Sequence, residues 1–434
     1  MGARLRGWQF MSKKNKQALV TKLRFPEFQN INEWSSKKLI DLVQLIEERA
    51  GNKKYTLMSV TSGLGLVPQI EKFGREIAGN AYKNYYVIKK GDFAYNKSAT
   101  KQFPEGYIAM LTKHDEAALP NSIFICFRIT DKDSCPKYFD HIFHANYHGV
   151  WLRKYIAVGA RAHGSLNIDT DNLLDMPFIL PSLKEQQRIA DCLNSLDELI
   201  TAETQKLDTI KDHKKGLMQQ LFPAEGESVP KLRFPEFWDA GEWEVKSIAQ
   251  IGDVITGNTP RTSELRYYNG EKPFVSPADI SDSRYIYRTK TTLSEEGFRQ
   301  TRPVRANSIL FVCIGSTIGK IAQTIEECAT NQQINSVVPY PEYSDDFIYS
   351  ALEHQSSEIA KLAGRQAVPI INKSLFSEVL LWIPTIFSEQ VKIAACLSSI
   401  DNLIIAQTQI IDTLKAHKKG LMQGLLPSVD EVSI

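Results

Sequence analysis

The sequence predicts an α+β chain in which two mixed α/β globular segments alternate with two long helices. Three observations predict this fold class. A stretch of 40 residues occurs twice, a motif of seven residues also occurs twice, and strand-like runs such as 122–129 and 308–313 alternate with helical runs such as 39–49 and 347–362. The chain is therefore expected to have a pseudo-two-fold internal repeat, with one globular segment and one helix in each half.

The repeated stretch has the spacing of a coiled coil. Residues 184–223 and 388–427 are identical at roughly 25 of 40 aligned positions. Their apolar residues follow alternating steps of four and three, which is the seam of helices packed side by side. The residues predicted to pair the helices are Ile189, Leu193, Leu196, Ile200, Leu207 and Ile210 in the first copy, and Ile393, Leu397, Ile400, Ile404, Ile411 and Leu414 in the second.

Each seam is interrupted at two matching positions, by Glu203 and Lys214 in the first copy and by Gln407 and Lys418 in the second. Polar residues at seam positions weaken a coiled coil but fix its register. A helical hairpin inside one globular core is the alternative interpretation. It does not account for a second copy 204 residues later, with a large globular segment before each copy.

The ends of the helices are also marked in the sequence. Ser182 followed by Glu185 predicts a capping box at the start of the first helix, and the second copy has no equivalent. Gly216 and Gly420, which follow paired lysines, are candidate early ends of the two helices.

A second repeat defines the order of the chain. The motif KLRFPEF occurs at 22–28 and at 231–237, and Trp34 and Trp243 follow the two copies at the same distance. A recurrent surface turn accounts for the proline but not for identity over the whole motif. The predicted boundaries are an N-terminal tail at 1–21, a first globular domain at 22–181, a central helix at 182–223, a linker with the repeated motif at 224–242, a second globular domain at 243–383, a distal helix at 384–427 and a C-terminal tail at 428–434.

The composition excludes several classes of protein. A formal net charge of +2 gives no whole-chain attraction to nucleic acid, so any basic surface must be local. The six cysteines form no CxxC pair, which argues against a disulfide framework or a zinc site. The lack of a signal peptide and of an apolar run of about 18 residues predicts a reduced, cytoplasmic protein without a membrane span. Met11 begins a stretch typical of a natural start, so residues 1–10 are expected to be an upstream extension.

No catalytic constellation is complete in the sequence. The stretch GSTIGK at 315–320 lacks two residues of a phosphate-binding loop and is better interpreted as a strand and turn. Asp239, Glu244 and Lys246 are spaced too closely for a nuclease site that spans two strands. The chain also lacks the proline–aromatic motif of an adenine methyltransferase and a glycine-rich loop for S-adenosylmethionine. The sequence therefore predicts a non-catalytic protein.

Three histidines, His141, His144 and His148, have a spacing that is compatible with metal ligands on one helical face. The second half of the chain has no matching histidines. A polar helix face is therefore the preferred interpretation, and no metal site is expected.

Basic and aromatic residues are interleaved in both globular segments. Lysine and arginine bind phosphates, and arginine also makes bidentate contacts with guanine. The residues predicted to face DNA are Lys83, Lys89, Lys90, Lys97, Lys101 and Arg161 in the first segment, and Arg261, Arg266, Arg284, Arg288, Lys290, Arg302 and Arg305 in the second. A solvated charged surface is the alternative for each residue taken singly. Their grouping beside tyrosines favours contact with nucleic acid.

From about residue 22 to 427 the chain resembles the specificity subunit of type I restriction–modification systems. The resemblance lies in the helices EQQRIADCLNSLDELI and EQVKIAACLSSIDNLI, their ends HKKGLMQQLFP and HKKGLMQGLLP, and the motifs GDVITGNTP at 252–260 and TNQQINSVVP at 330–339. The resemblance is specific because the order of short motif, globular segment and long helix occurs twice in the chain. The first globular segment lacks GNTP-like and TNQQ-like motifs, so its target is harder to infer.

In that family, two target-recognition domains each read one half of a split DNA site. The repeated helices pair antiparallel as a spacer and dock the modification subunits. The resemblance implies three kinds of partner, namely double-stranded DNA, two modification (methyltransferase) subunits and restriction (motor-nuclease) subunits. It also implies that S-adenosylmethionine, ATP and Mg are bound by partner subunits and that this chain holds no cofactor. Adenine methylation and ATP-dependent cleavage would then belong to the assembled complex.

Two other classes of protein remain as alternatives. A coiled-coil assembly protein without DNA readout would not need two diverged segments rich in basic and aromatic residues, and a self-contained DNA-modifying enzyme would need the missing motifs. If the helices act as a ruler, a heptad added after Ile210 and after Leu414 should lengthen the gap between half-sites by about three base pairs, at ~1.5 Å per residue.

Overall fold

The computed structural model describes residues 21–427, apart from residues 32–33, 62–64, 78–79, 157–165, 167, 282 and 365–367. The chain divides into two compact units, one made of residues 1–201 with 412–434 and the other of residues 202–411. Both boundaries between the units fall inside long helices. Each unit therefore combines one globular domain with the start of one long helix and the end of the other.

The first globular domain is built from short strands and helices. In chain order they are β1 (Ser35–Lys38), α1 (Leu39–Leu42), β2 (Val43–Leu45), β3 (Met58–Thr61), β4 (Gly65–Pro68), α2 (Gln69–Phe73), β5 (Tyr86–Lys89), β6 (Phe93–Asn96), β7 (Tyr107–Met110), β8 (Glu116–Leu119), β9 (Phe124–Ile129), α3 (Pro136–His144), α4 (Tyr147–Leu152), α5 (Thr170–Leu174) and β10 (Pro177–Leu180). The helix predicted at 39–49 is only partly correct, because the chain becomes extended at Val43 and pairs with β9.

The central helix, α6 (Leu183–Leu221), leads into the second globular domain. Its elements are β11 (Glu244–Ser247), α7 (Ile248–Ile251), β12 (Gly252–Thr256), β13 (Tyr268–Val275), β14 (Tyr285–Ile286), β15 (Thr291–Leu293), α8 (Glu295–Phe298), β16 (Ile309–Val312), β17 (Ile321–Thr324), β18 (Ala329–Thr330), β19 (Ile334–Pro339), α9 (Asp345–Lys361), α10 (Lys373–Ser377) and β20 (Leu380–Ile383). The distal helix, α11 (Phe387–Leu425), follows.

The two domains share a strand order that their sequences barely reveal. The first contains the antiparallel order β2–β9–β6–β7, and the second contains β12–β19–β16–β17 with β14 added at the edge. In each domain a two-stranded pair, β1–β10 or β11–β20, lies directly before a long helix. The domains differ in their remaining strands, which form the pairs β3–β4 and β5–β8 in the first domain and the sheet β15–β13–β18 in the second.

The central strands explain why the two domains have the same strand order, here called the frame, although their sequences differ. Residues Phe93–Tyr95 of β6 and Ile309–Val312 of β16 are all fully buried. A strand covered on both faces needs only a short continuous apolar run, and many apolar residues satisfy that requirement. The frame therefore persists while the residues in the connecting loops change.

The two repeats form helices of 39 residues each, close to the boundaries predicted at 182–223 and 384–427. Gly216 and Gly420 do not end them, because both helices continue for five residues beyond the glycine. Contacts within the second unit show that the helices run antiparallel, as expected. Gln407 donates to Glu203 Oε2 at 2.5 Å, and further along the central helix Lys214 lies 2.6 Å from Asp401, at a lower number on the distal helix.

All residues predicted to pair the helices are withdrawn from solvent. Ile189, Leu193, Ile393, Leu397, Ile400 and Ile411 are buried, and Leu196, Ile200, Leu207, Ile210, Ile404 and Leu414 are half-buried. Apolar residues off the seam behave differently, since Leu199, Leu403 and Ile410 are 42%, 57% and 45% exposed. The heptad pattern therefore identifies the packed face of each helix.

Each helix start belongs to the core of one domain. In the first unit, Ile189 and Leu193 pack in one cluster with Phe93 and Phe143, and the last residues of the distal helix join it. In the second unit the start of the distal helix and the end of the central helix join the aromatic core in the same way. Domain and helix ends are therefore continuous in each unit.

By length and composition alone, the distal helix is apolar enough to cross a membrane, with a mean hydropathy of 1.2 over its best 18-residue window. The expectation of no membrane span rests on uninterrupted apolar runs, which this helix does not contain. The distal helix is more apolar than the central helix at positions off the seam, such as Ile405 and Ile410 where the central helix has Thr201 and Lys206.

Candidate nucleic-acid interface

The repeated KLRFPEF motif supplies a buried ion pair to the start of each long helix. In the first unit, Arg24 donates to the two carboxylate oxygens of Glu185 at 2.7 and 2.8 Å. In the second unit, Arg233 makes the same two bonds to Glu389, both at 2.8 Å. The arginine and glutamate side chains are 7% and 1% exposed in the first pair and 6% and 0% exposed in the second. Bidentate pairs of this kind are strong and directional, so the motif positions the helix starts.

The same motif also holds the end of the other helix within its unit. The backbone nitrogen of Leu23 donates to the carbonyl oxygen of Gly424 at 2.9 Å, and that of Leu232 donates to Gln220 at 2.9 Å. A Cβ added to Gly424 would lie 2.5 Å from Leu23 Cδ1, so a larger residue there would require the Leu23 side chain to move. Each motif therefore joins the first turn of one long helix to the last turn of the other.

Sequence reasoning missed these ion pairs. The capping box predicted at Ser182 and Glu185 is only half formed: Ser182 Oγ accepts from the Glu185 backbone nitrogen at 3.4 Å, but Arg24 engages the carboxylate. The sequence does contain a signal for these ion pairs. Arg24 and Glu185 of the first copy are matched by Arg233 and Glu389 of the second.

The polar interruptions of the seam are paired in both units. Lys214 lies 2.5 Å from Glu353 and 2.6 Å from Asp401, and Lys418 lies 2.6 Å from Asp197. Burial raises the pKa of Glu353 above its ordinary value, although Lys214 opposes the shift. Because each polar residue has a specific partner, the interruptions set which residues face each other along the helices.

Three loops of the second domain meet at one end of its five-stranded sheet. Strand pairing places Thr256 opposite Asn335 and Val312 opposite Ile334, so these residues lie at the same end. The loops that follow β12 and β16 and the loop that precedes β19 therefore meet here, at what we call the loop end. They carry the motifs GNTP at 257–260, GSTIG at 315–319 and TNQQ at 330–333.

The GNTP and TNQQ motifs are in direct contact. A Cβ added to Gly257 would lie 2.2 Å from Thr330 Oγ1, so only glycine permits this approach. Thr259 Oγ1 donates to Gln332 Oε1 at 2.8 Å, and both residues are exposed. The loop end is thus an ordered surface of amide and hydroxyl groups, which are groups that hydrogen-bond with base edges.

The basic residues predicted to face DNA in the second domain do not share one surface. Arg302 lies at the loop end, where it donates to the Thr256 carbonyl oxygen at 3.1 Å. Arg261 directly follows the GNTP motif and is exposed. Arg266 is exposed as well, but it pairs with two glutamates at 3.2 and 3.1 Å. Arg302 and Arg261 are therefore the best-placed cations of this group.

Arg305 lies at the opposite end of the sheet. It donates to the carbonyl oxygen of Pro339, the last residue of β19, at 3.0 Å and pairs with Asp345 at 2.7 Å. Arg288 and Lys290 are exposed in the segment that follows β14. Exposure leaves these two side chains accessible, whereas the Arg305 guanidinium is already engaged.

Arg284 corrects the sequence prediction. Its side chain is 1% exposed. The guanidinium donates to Gln323, Ser398, Asp401 and Asp346. Because all five N–H donors of an arginine are used by these contacts, none is left for a phosphate. Arg284 therefore does not belong to the residues that face DNA. The neighbouring positive charges in the sequence did not reveal that its side chain is buried.

In the first domain, Lys97 and Lys101 occupy the end that corresponds to the loop end. They follow β6, whose last residue, Asn96, pairs with Tyr107 and Phe124. By strand order β6 corresponds to β16 of the second domain. Lys101 is exposed and Lys97 is half-buried. The basic segment after β6 is therefore the counterpart of the loop that follows β16.

The other predicted lysines of the first domain lie elsewhere. Lys89 and Lys90 are exposed and directly precede the turn into β6, at the opposite end of that strand, and Lys89 lies 3.8 Å from Glu116. Lys83 is exposed on the short 3-10 helix Asn80–Asn84. Arg161 lies outside the described residues.

Two of the three clustered histidines are buried, so the predicted polar helix face is wrong for them. His141 and His144 lie on α3, His148 lies on α4, and His141 and His148 are 3% and 0% exposed. Burial lowers the pKa of both buried rings to about 4. His141 Nε2 lies 3.0 Å from Asn194 Oδ1 on the central helix. In the part of the chain that the structure describes, no three His, Cys, Asp or Glu residues group as metal ligands.

A family model described as the type I restriction modification DNA specificity domain matches residues 31–212 and 240–416. The chain belongs to this family. Each match spans one globular domain and most of the long helix that follows it, so the family domain occurs twice, as the internal repeat implies.

Two curated relatives have names that agree with this assignment. The type I restriction enzyme HindI specificity subunit of Haemophilus influenzae is 32% identical over 171 residues, which cover 38% of this chain and 37% of that protein. The type I restriction enzyme MjaIX specificity subunit of Methanocaldococcus jannaschii is 29% identical over 168 residues, which cover 38% of this chain and 39% of that protein. The chain thus matches less than half the length of either relative.

Solved structures of similar fold cover almost the whole chain. The S subunit of a type I restriction–modification system from M. genitalium superposes with a TM-score of 0.58 at 14% identity, covering 94% of this chain and 99% of that one. A chain from a study of complex assembly and conformational transition in the type I R-M system superposes with a TM-score of 0.53 at 18% identity, covering 92% of this chain and 97% of that one. These likenesses confirm the fold class of two mixed domains with two long helices.

Proposed function

We propose that the chain is the sequence-specific DNA-binding subunit of a type I restriction–modification complex. Each globular domain reads one half of a bipartite duplex site, and the long helices set the spacing between the halves. One observation carries the proposal: the two domains share a strand order but have different residues at corresponding loop ends. A common frame with different loops is expected when two modules recognise different sequences.

The loop ends supply the chemistry for reading DNA. In the second domain, Arg261 and Arg302 are placed to contact phosphates, and the exposed Gln332 and Thr259 carry groups that hydrogen-bond with base edges. In the first domain, the basic segment after β6 provides the corresponding phosphate contacts. Phosphate contacts position a protein on DNA, and the differing loop residues then determine the sequence that each domain reads.

The chain has no catalytic activity of its own in this proposal. Its partners are duplex DNA, two modification subunits and restriction subunits, and the assembly works in the cytoplasm. S-adenosylmethionine, ATP and Mg are bound by the partner subunits. Family membership supports this division of labour. The purified chain alone should neither bind S-adenosylmethionine nor methylate DNA, and methyl transfer should begin only when modification subunits are added.

DNA binding by the assembled complex tests the proposal. The affinity should fall steeply with salt, because each phosphate contact contributes about 0.9 to the slope of log K against log salt concentration. Lys101→Ala and Arg302→Ala should each lower the slope by about one. Lys392→Ala is the matched control, because Lys392 is 53% exposed near the start of the distal helix, away from the loop end, and is paired with Glu236. An affinity independent of salt would support the alternative of a coiled-coil assembly protein without DNA readout.

The spacing role is tested by lengthening both helices by one heptad. The antiparallel contacts place Ile210 opposite the segment 401–407 rather than opposite Leu414. Insertion after Ile210 and after Leu403 therefore keeps the flanking contacts, whereas insertion after Leu414 would shift them. Methylation mapping should show unchanged half-sequences and a gap altered by about three base pairs, at ~1.5 Å per residue. An unchanged gap would contradict the spacing role.

A further inference from the structure

Three large apolar side chains are exposed around one cleft of the first domain. Phe73, Ile77 and Ile123 are 45%, 52% and 38% exposed. All three line a cavity of about 590 Å³, and we call them the apolar rim. Single exposed apolar residues are common on protein surfaces, but a group of them around one concave site indicates a binding surface. The apolar rim therefore indicates an occupant from outside the domain.

The cleft lies at the end of the first domain that corresponds to the loop end of the second. Its lining includes Ser98 and Thr100, which follow β6, and Ile123, which directly precedes β9. The backbone nitrogen of Lys97 donates to the carbonyl oxygen of Ile123 at 3.1 Å. The apolar rim is therefore continuous with the basic segment after β6, for which we propose contacts with phosphates.

The charge around the cleft is compatible with DNA. Among the described residues that line it, none is acidic and Lys72 is the one charged side chain. The segment 71–77, which carries two residues of the rim, has two acidic and two basic residues and is neutral. Lys97 and Lys101 then give the neighbouring segment a positive charge, which attracts phosphates. The site thus combines apolar surface with adjacent positive charge.

Buried contacts hold the apolar rim in place. Gln69 is 5% exposed, and its Nε2 donates to the Met58 carbonyl oxygen of β3 at 3.4 Å. The Oε1 atom of the same side chain accepts from the Ile77 backbone nitrogen at 2.8 Å. These two bonds attach the segment that carries Phe73 and Ile77 to strand β3. A surface that is positioned before binding loses little conformational entropy when its partner arrives.

The chemistry of base edges identifies the group that an apolar rim can read. In the major groove the bases present hydrogen-bond donors and acceptors, and the apolar group among them is the C5-methyl of thymine. Phenylalanine and isoleucine side chains cannot hydrogen-bond, but burial of a methyl group against them is favourable. Asn121 and Ser122 also line the cleft and supply polar groups for adjacent base edges.

We propose that the apolar rim contacts thymine methyl groups in the half-site that the first domain reads, and that Phe73 and Ile77 are specificity-determining residues. This inference rests on the proposed function, which places duplex DNA at this end of the domain. Lys97 and Lys101 hold the duplex by its phosphates, and the rim faces the major groove. Affinity for this half-site therefore depends on the methyl group of at least one thymine.

The test compares thymine with deoxyuracil, which differs from it only in lacking the C5-methyl group. Methylation mapping, with and without exchange of residues 243–383, first assigns one half-site to the first domain. Duplexes with deoxyuracil in place of each thymine of that half, one at a time on either strand, are then titrated with the assembled complex. At one or more positions the affinity should fall about fourfold, as expected when one methyl-sized group is no longer buried.

Variants of the apolar rim connect this effect to the named residues. The double variant Phe73→Ala/Ile77→Ala should bind the thymine and deoxyuracil duplexes with equal affinity. Ile40→Ala is the matched control, because Ile40 is 54% exposed on α1. It lies away from the rim, since α1 leads into β2, whose Val43 pairs with Ile129 at the far end of β9. The control should distinguish the two bases as the wild type does.

Each other result has a definite meaning. Equal affinity of the wild-type complex for thymine and deoxyuracil at every position of the half-site overturns the inference. A double variant that still distinguishes the two bases overturns it as well, and so does one that loses modification subunits while it keeps the distinction. A wild-type complex that binds all duplexes alike, whatever their sequence, contradicts the proposed function itself and the inference with it.

Discussion

The two long helices carry the same lysine–aspartate pair, yet the two copies have different surroundings. In the second unit, Asp401 lies 2.6 Å from Lys214 and 3.3 Å from Arg284, with side chains that are 7%, 8% and 1% exposed. In the first unit, Asp197 lies 2.6 Å from Lys418 and is 48% exposed. Identical helix residues therefore form a buried charged network in one unit and a partly solvated pair in the other.

The difference arises from what each domain brings to the helix. At equivalent helix positions, Ser398 accepts from Arg284 of the second domain, and Asn194 bonds to His141 of the first. At this pair of positions, the second domain thus contacts its helix through a charged guanidinium, and the first domain contacts its helix through a neutral imidazole. Identical residues in the two helices can therefore contribute differently to the free energy of unfolding, because the neighbouring domain supplies different partners for their polar side chains.

The largest difference is expected when the aspartate is removed. Asp401→Ala removes the shared partner of Lys214 and Arg284, which keep Glu353 and Asp346, so the free energy of unfolding should fall by about 1.5–3 kcal/mol, the range for a hydrogen bond to a charged group. Asp197→Ala removes a half-exposed partner, and exposed pairs contribute about 0–1 kcal/mol. Urea unfolding of the two variants, monitored by circular dichroism, gives both values. Equal losses would mean that the two surroundings do not differ energetically.

The second-largest difference is expected on acidification, which should destabilise the first unit more than the second. Burial lowers the pKa of His141 and of His148 in the first unit from 6.5 to about 4. The unfolded chain then binds protons that the folded chain does not, so stability present above the unfolded pKa is lost as the pH falls from 6.5 towards 4. The linkage amounts to about 2 kcal/mol for each histidine at a pH of about 5.

The first unit should therefore unfold before the second on acidification, although burial also lowers the pKa of His354 in the second unit. Unfolding free energies at neutral and mildly acidic pH, for the wild type and for His141→Gln, measure the effect. The glutamine variant should lose about 2 kcal/mol less on acidification. The same pH dependence in both proteins would exclude His141 as the source.

A smaller effect is expected at the repeated tryptophans. Trp243 Nε1 donates to Glu389 Oε1 at 3.3 Å, whereas the Trp34 Nε1 atom is buried without a partner among the described residues. Replacement of each indole by phenylalanine removes similar apolar volume. Trp243→Phe should therefore cost about 1 kcal/mol more than Trp34→Phe, which is the net contribution of one hydrogen bond. The measured quantity is the difference between the two changes in unfolding free energy. A difference of zero would mean that the Trp243 hydrogen bond contributes nothing to stability.

Much of the architecture could be predicted from repetition and periodicity. The helix seam, the order of domains and the polar interruptions depend on local spacing, which a sequence displays directly. The segment that follows Leu39 shows the limit of this approach. Its apolar residues suit a helix, but the pairing of β2 with β9 draws Val43 into a sheet. Pairing between strands that are distant in sequence leaves no periodic signal.

The candidate site was less predictable because burial and partners decide its chemistry. Arg284 stands among exposed arginines in the sequence, yet its donors are used by side chains from three distant segments. His141 looked polar but packs in a core, which lowers its pKa. By contrast, Gly257 and Thr330 could be located from their motifs, although only the structure shows that they touch. Contacts between remote segments are what the sequence does not contain.

The central claim is that the two domains read their half-sites independently on a common frame. Exchange of residues 243–383 for the matching domain of another family member, followed by methylation mapping of the reconstituted complex, tests it most directly. We expect one half of the recognised sequence to change while the other half and the gap stay the same. A change in both halves would contradict independent reading by the two domains.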